Sequence, residues 1–120
     1  MRVPSMFILS AALLSINCDQ CEPMERAIAT SPDDAFSAVE RLYDCGGGTV
    51  AASTSVSVRP SPSAKQAYSE ADVLGLRGDV SVTIEWTGPR ALKLTVAPEA
   101  EVTAFRPKLD GLAVTLERSR

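Results

Sequence analysis

The sequence predicts an all-β domain, a single antiparallel sheet or a small sandwich of about six strands, following a cleaved N-terminal leader. Three observations carry this expectation. Val80, Val82, Ile84 and Trp86 alternate with Ser81, Thr83 and Glu85, the period of a strand with one buried face. After Gly88-Pro89, Leu92, Leu94 and Val96 repeat the alternation against Lys93 and Thr95, as the partner in an antiparallel hairpin would. Turn-forming residues interrupt the chain about every ten residues, the spacing of short strands rather than of helices.

The amino terminus reads as a targeting segment. Arg2 supplies a minimal positive charge, and Met6 to Ile16 is an unbroken run of apolar and small residues, too short to span a bilayer comfortably as a helix. Residues 1–17 are therefore expected to be a secretory leader. Cys18 stands where a lipidated cysteine stands in exported lipoproteins, although Asn17 occupies the position normally held by Gly or Ala. An exported chain with three cysteines has one left over, and lipidation of Cys18 removes the odd one. The expected location is the bacterial cell envelope: a membrane-anchored lipoprotein facing the periplasm, or, with one cysteine left as a free thiol, a soluble periplasmic or secreted protein.

Residues 18–30 are expected to form an N-terminal tether with a short strand, and residues 31–120 the all-β domain. Cys18-Asp19-Gln20-Cys21 has the CxxC spacing of redox and metal sites. A redox site wants that spacing at a helix start within a βαβ pattern, which does not surround it, and zinc would lack a histidine ligand.

Ser31-Pro32-Asp33-Asp34 is turn chemistry. The segment that follows has two readings. Ser31 as a cap, Pro32 at the first position, an apolar face of Ala35, Phe36, Val39, Leu42 and Tyr43, and Gly46 as the stop together describe a helix. As a strand, Phe36, Ala38 and Leu42 oppose Ser37, Val39, Arg41 and Tyr43, a less clean division. Local rules favour helix, and tertiary context must arbitrate.

Asp44-Cys45-Gly46-Gly47-Gly48-Thr49 is a glycine turn with a cysteine beside it. A phosphate-cradling loop would need a longer spacing and a Lys before Ser or Thr, and neither is present. Thr49 to Val58 is rich in β-branched and small residues and predicts a strand, stopped by Arg59-Pro60. Residues up to about Asp72 are expected to be an exposed loop with room for a short helical turn. Val102 to Phe105 and Leu112 to Leu116 supply two further short strands, separated by Pro107 and an Asp110-Gly111 turn.

Composition narrows function. The formal charge of −3 and the absence of a basic run argue against a nucleic-acid partner. Without a histidine, the commonest general base and zinc ligand are missing. Asp33 and Asp34 are best read as turn acceptors rather than an acid/base pair, and Trp86 as a core residue. No catalytic, cofactor or metal site is expected.

The spacing of Cys21, Ser31-Pro32-Asp33, Asp44-Cys45-Gly46, Val56-Ser57-Val58, the Val82 to Trp86 strand and the closing Asp110 to Leu116 strand resembles an uncharacterised family of small bacterial envelope proteins, many with lipoprotein-like leaders. Members show a Cys, a Ser-Pro-Asp-Gly-Lys turn, a strand, an Asp-Cys-Gly-Ala-Thr-Thr segment and a strand containing Val-Ser. Here Asp34-Ala35 replaces Gly-Lys, and Gly47-Gly48 replaces Ala-Thr. The resemblance implies that Phe36 to Tyr43 is a strand. It also implies a disulfide between Cys21 and Cys45, which would contribute roughly 3 kcal/mol by the loop-entropy relation. It implies no activity. The functional expectation is a non-catalytic binding or structural lipoprotein, with the membrane as one partner through Cys18 and an envelope protein or polymer as the other. A small periplasmic inhibitor of a hydrolase, presenting the Pro60 to Asp72 loop, is the alternative, and a thiol-disulfide redox protein the third.

Overall fold

In the computed structural model, which describes residues 22–44, 52–61 and 70–120, the alternating segments form nine strands and no helix. The strands are β1 (Met24–Thr30), β2 (Phe36–Tyr43), β3 (Ser53–Pro60), β4 (Ala71–Arg77), β5 (Thr83–Gly88), β6 (Ala91–Val96), β7 (Val102–Phe105), β8 (Lys108–Leu109) and β9 (Leu112–Arg118). They build two sheets, ordered β1-β2-β3-β4-β7 and β5-β6-β9-β8. The all-β expectation holds, as a sandwich rather than a single sheet and with more strands than expected.

One face of each sheet supplies the core. Phe36, Ala38, Val56, Val58, Val73, Leu74 and Leu76 from the five-stranded sheet meet Leu92, Leu94, Val96, Leu112 and Val114 from the four-stranded sheet, all buried. Each large aliphatic side chain removed from water contributes about 1.5–3 kcal/mol, so this interleaved layer is the main stabilising element.

Phe36–Tyr43 is a strand, against its helical periodicity. The reason is non-local: β2 is flanked on both sides, Ala38 pairing with Ala29 of β1 and with Val58 of β3. Both of its faces are used, Phe36 and Ala38 toward the core and Ser37 and Val39 buried on the other side. A helix would satisfy its own backbone but leave two neighbouring strands unpaired.

β4 corrects the sequence reading, which ran an exposed loop to about Asp72 and assigned no strand between there and Val80. Two features hide it. A bulge between Val56 and Ser57 of its partner inserts Val73 as an extra residue, so Val73 and Leu74 are both buried and the alternation breaks. Gly75 then lowers strand propensity. Arg59-Pro60, read as a stop, are instead the last two residues of β3.

The chain changes sheets at three places. Between β4 and β5 it crosses through Gly78, where buried Thr54 donates to the Gly78 carbonyl at 2.7 Å and accepts from the Val80 N–H at 3.0 Å. Between β6 and β7 it crosses back, and Arg118 donates to the carbonyls of Pro98 and Ala100 at 3.0 and 2.8 Å. Between β7 and β8 it returns through Arg106-Pro107. Two crossings after β6 bring β9 in alongside it in the same direction, so β6 and β9 pair in parallel whereas the other strand pairs are antiparallel. Asp110 and Gly111, both at positive φ (48° and 81°), turn β8 into β9 as the two-residue hairpins of twisted sheets require.

Candidate functional site

Three polar constructions stand out. The first is the Ser31-Pro32-Asp33 turn. Ser31 is buried, and its hydroxyl accepts from the N–H groups of Ala35 and Phe36 at 3.2 and 3.1 Å while donating to Asp33 at 2.8 Å. Asp33 also accepts from the Ala35 N–H and pairs with Arg90 at 2.8 Å. The Ser31 hydroxyl first, and the Arg90 guanidinium second, hold the Asp33 carboxyl below its ordinary range. Arg90 lies over the Phe36 ring, 4.9 Å from its centre, and Phe36 stacks on Trp86 of the other sheet at 6.5 Å. This turn therefore clamps the two sheets at one end, and Asp33 acts as the acceptor its position predicts.

The second is Arg26, which occupies a β1 bulge. It donates to buried Glu40 at 2.7 Å, to the Val80 carbonyl at 2.9 Å and to Asp79. The Asp79 bond is the main cause that raises the Arg26 pKa. With Trp86 donating to Ala29, it closes the side of the sandwich where β1 and β5 meet.

The third is the outer face of the five-stranded sheet, turned away from the core. Strand register lines up Glu25, Arg41, Ser55, Gly75 and Ala104 in one row across all five strands. The row divides into two large charged residues, Glu25 and Arg41, and three small ones, Ser55, Gly75 and Ala104. At its large end Arg41 bonds Glu70, Glu25 at 3.0 Å and Ser57 at 3.4 Å, and Glu25 also pairs with Arg59. The Glu70 contact is the main cause raising the Arg41 pKa, and Arg41 in turn lowers that of Glu70. At the small end the face sinks into a trough. Two depressions of about 300 and 280 Å³ share Ser55, Asp72 and Gly75. Ala104, Phe105 and Arg106 bound one, and Tyr43, Ser53 and Thr103 the other.

Three details mark the trough. The Ser55 hydroxyl is buried and has no hydrogen-bond partner among the described residues. Gly75 is the floor: a Cβ there would lie 2.9 Å from the Thr103 hydroxyl oxygen. Asp72 is oriented by the Ser57 hydroxyl, which donates to it at 2.5 Å. A further depression of about 400 Å³ lies where the chain crosses between sheets, beside the Arg77–Glu101 ion pair. Among the described residues, no group of three or more Cys, Asp or Glu is assembled to hold a metal ion.

The residues singled out from sequence as lipidation and disulfide sites, Cys18, Cys21 and Cys45, lie outside the described residues, as do the leader, the glycine run and most of the Pro60 to Asp72 loop. Trp86 is half-buried against the core. The trough was missed by sequence reasoning. Its one local signal is Gly75 inside the apolar run Val73 to Leu76, a glycine where a strand should carry a side chain. Compared with protein-family models, curated proteins and solved structures, the chain matches none.

Proposed function

We propose that this chain is an exported protein of the bacterial cell envelope, anchored through lipidated Cys18, that works by binding rather than by catalysis. The observation that carries the binding reading is the trough on the outer face of the five-stranded sheet, a concave surface with a buried, unpartnered hydroxyl. Concave surfaces with a few convergent polar groups are where small ligands bind. Support for a non-catalytic role comes from how the carboxylates are used. Asp33, Glu40, Glu70 and Asp72 each accept from a neighbouring hydroxyl or guanidinium, which suits structural acceptors better than proton donors poised near neutral pH.

The leader, Cys18 and the resemblance to small envelope proteins support the location. Strand register supports the Cys21–Cys45 bridge: Met24 pairs with Leu42, so the strand ends leading toward the two cysteines are adjacent. Intact mass of the protein from its native host, with and without reduction, tests the architecture. The expected species begins at a Cys18 carrying diacylglycerol and an acyl chain, and gains one hydrogen per bridged cysteine on reduction. An unlipidated chain with Cys18 bridged to Cys21 would overturn it and favour redox chemistry instead.

A further inference from the structure

We propose that the trough over Ser55, Gly75 and Ala104 is a carbohydrate site that takes two adjacent sugar rings; this rests on the binding reading above and specifies its ligand. The argument begins with what the floor offers. Ser55 and Gly75 lie on β3 and β4, interior strands paired on both sides. Their backbone groups are committed to neighbours, so a ligand on this face must be recognised by side chains. An extended peptide that adds to a sheet needs a free strand edge; the edge nearest the trough is the outer side of β7, beyond Ala104, so such a peptide would lie beside the floor rather than over Ser55 and Gly75.

The side chains present have the chemistry of sugar recognition. Ser53, Ser55 and Thr103 bring hydroxyls, each able to donate and accept. Asp72, held in place by Ser57, is an acceptor for sugar hydroxyls, and Arg106, exposed and lining the same depression, brings donors. Phe105, 37% exposed, bounds one depression and Tyr43 the other. An aromatic surface receives the apolar C–H face of a pyranose, while the polar groups between receive its hydroxyls.

Size and shape agree. The two depressions are nearly equal and share Gly75 in their lining, where a Cβ would lie 2.9 Å from the Thr103 hydroxyl oxygen and crowd the connection. A buried hydroxyl without a partner carries an uncompensated desolvation penalty, which a sugar hydroxyl bonded to Ser55 would relieve. The trough is shallow, so binding of a disaccharide is expected in roughly the millimolar range, with avidity supplied by a polymeric ligand.

The test is an amide chemical-shift titration of the purified protein with maltose, cellobiose, lactose and N,N′-diacetylchitobiose. At least one disaccharide is expected to produce saturable shifts centred on Ser55, Gly75 and Ala104. Arg106→Ala, an exposed change, should weaken that binding several-fold with the remaining spectrum intact, and Gly75→Val should abolish it. The inference is overturned if none of the four moves these amides, if Arg106→Ala binds as wild type, or if a Ser/Ala-rich octapeptide moves them and the sugars do not. Cell fractionation separates the two readings: sugar shifts in a protein found in the cytoplasm would sink only the envelope location. An envelope protein whose trough ignores all four sugars would sink only this inference.

Discussion

Trp86, on the four-stranded sheet, donates its indole N–H to the carbonyl of Ala29 at 2.9 Å, on the edge strand of the five-stranded sheet. The bond occupies a backbone acceptor that an edge strand would otherwise offer to another chain. Trp86→Phe keeps the stacking on Phe36 but removes the donor. It is expected to cost about 1–2 kcal/mol, because the Ala29 carbonyl loses its partner. Chemical denaturation should show the loss in midpoint with little change in slope.

Asp34 sits at φ 63°, the left-handed region, at the position where the resembling family carries Gly. Asparagine and glycine tolerate that conformation and β-branched residues do not. Asp34→Asn keeps an oxygen that accepts from the Ser61 hydroxyl at 3.2 Å, and Asp34→Gly trades that contact for relief of the left-handed strain, so each should change stability by less than about 0.5 kcal/mol. Asp34→Val should cost about 2 kcal/mol. Thermal melting of the three variants would expose any other order.

Glu40 is buried and paired with Arg26. Glu40→Ala takes one carboxylate from the Arg26 guanidinium, which keeps Asp79, so it should destabilise by about 2 kcal/mol, less than the loss of a sole partner would. Replacing both members by apolar residues of similar size, Arg26→Met with Glu40→Leu, should cost less than the single change. A larger cost for the double variant would mean that the Val80 and Asp79 contacts of Arg26 carry most of its effect.

Acid lability follows from Asp33 and Glu70. Both carboxyls are held below their ordinary values of 3.8 and 4.5, by the Ser31 hydroxyl and by Arg41 respectively. The unfolded chain therefore takes up these protons first. Their contribution to stability is complete above the ordinary values and is lost as pH falls through the lower folded values. The denaturation midpoint should stay flat from neutral pH to the ordinary carboxylate range and decline below it. Asp33→Asn and Glu70→Gln should each make that decline shallower.

Gly75→Ala brings a Cβ to within 2.9 Å of the Thr103 hydroxyl oxygen. The usual benefit of Ala over Gly in a strand, about 0.5–1 kcal/mol, should therefore be cancelled. In a Thr103→Ala background the same substitution should stabilise. A double-mutant cycle should give a coupling of about 1 kcal/mol, and a coupling near zero would show that Thr103 rotates away freely.

The alternation of Val80 to Trp86 and of Leu92 to Val96, the Asp110-Gly111 turn and the Ser31-Pro32-Asp33 turn were all readable in the sequence, because each depends on residues within one strand or one turn. The class of the fold followed from them. Phe36–Tyr43 was not decidable that way: its helical periodicity is outweighed by strands on either side and by the burial of both its faces. β4 was hidden by the bulge at Val73 and by Gly75, where the pattern departs from a simple period.

The trough depended still more on tertiary structure. Glu25, Arg41, Ser55, Gly75 and Ala104 are far apart in the chain and share no motif. They form a row only because four strand pairings bring them into register. Period and turn chemistry act over a few residues and can be read locally. A concave surface needs small side chains placed side by side across a sheet, with larger ones at its margin, and only the assembled register determines which residues are neighbours.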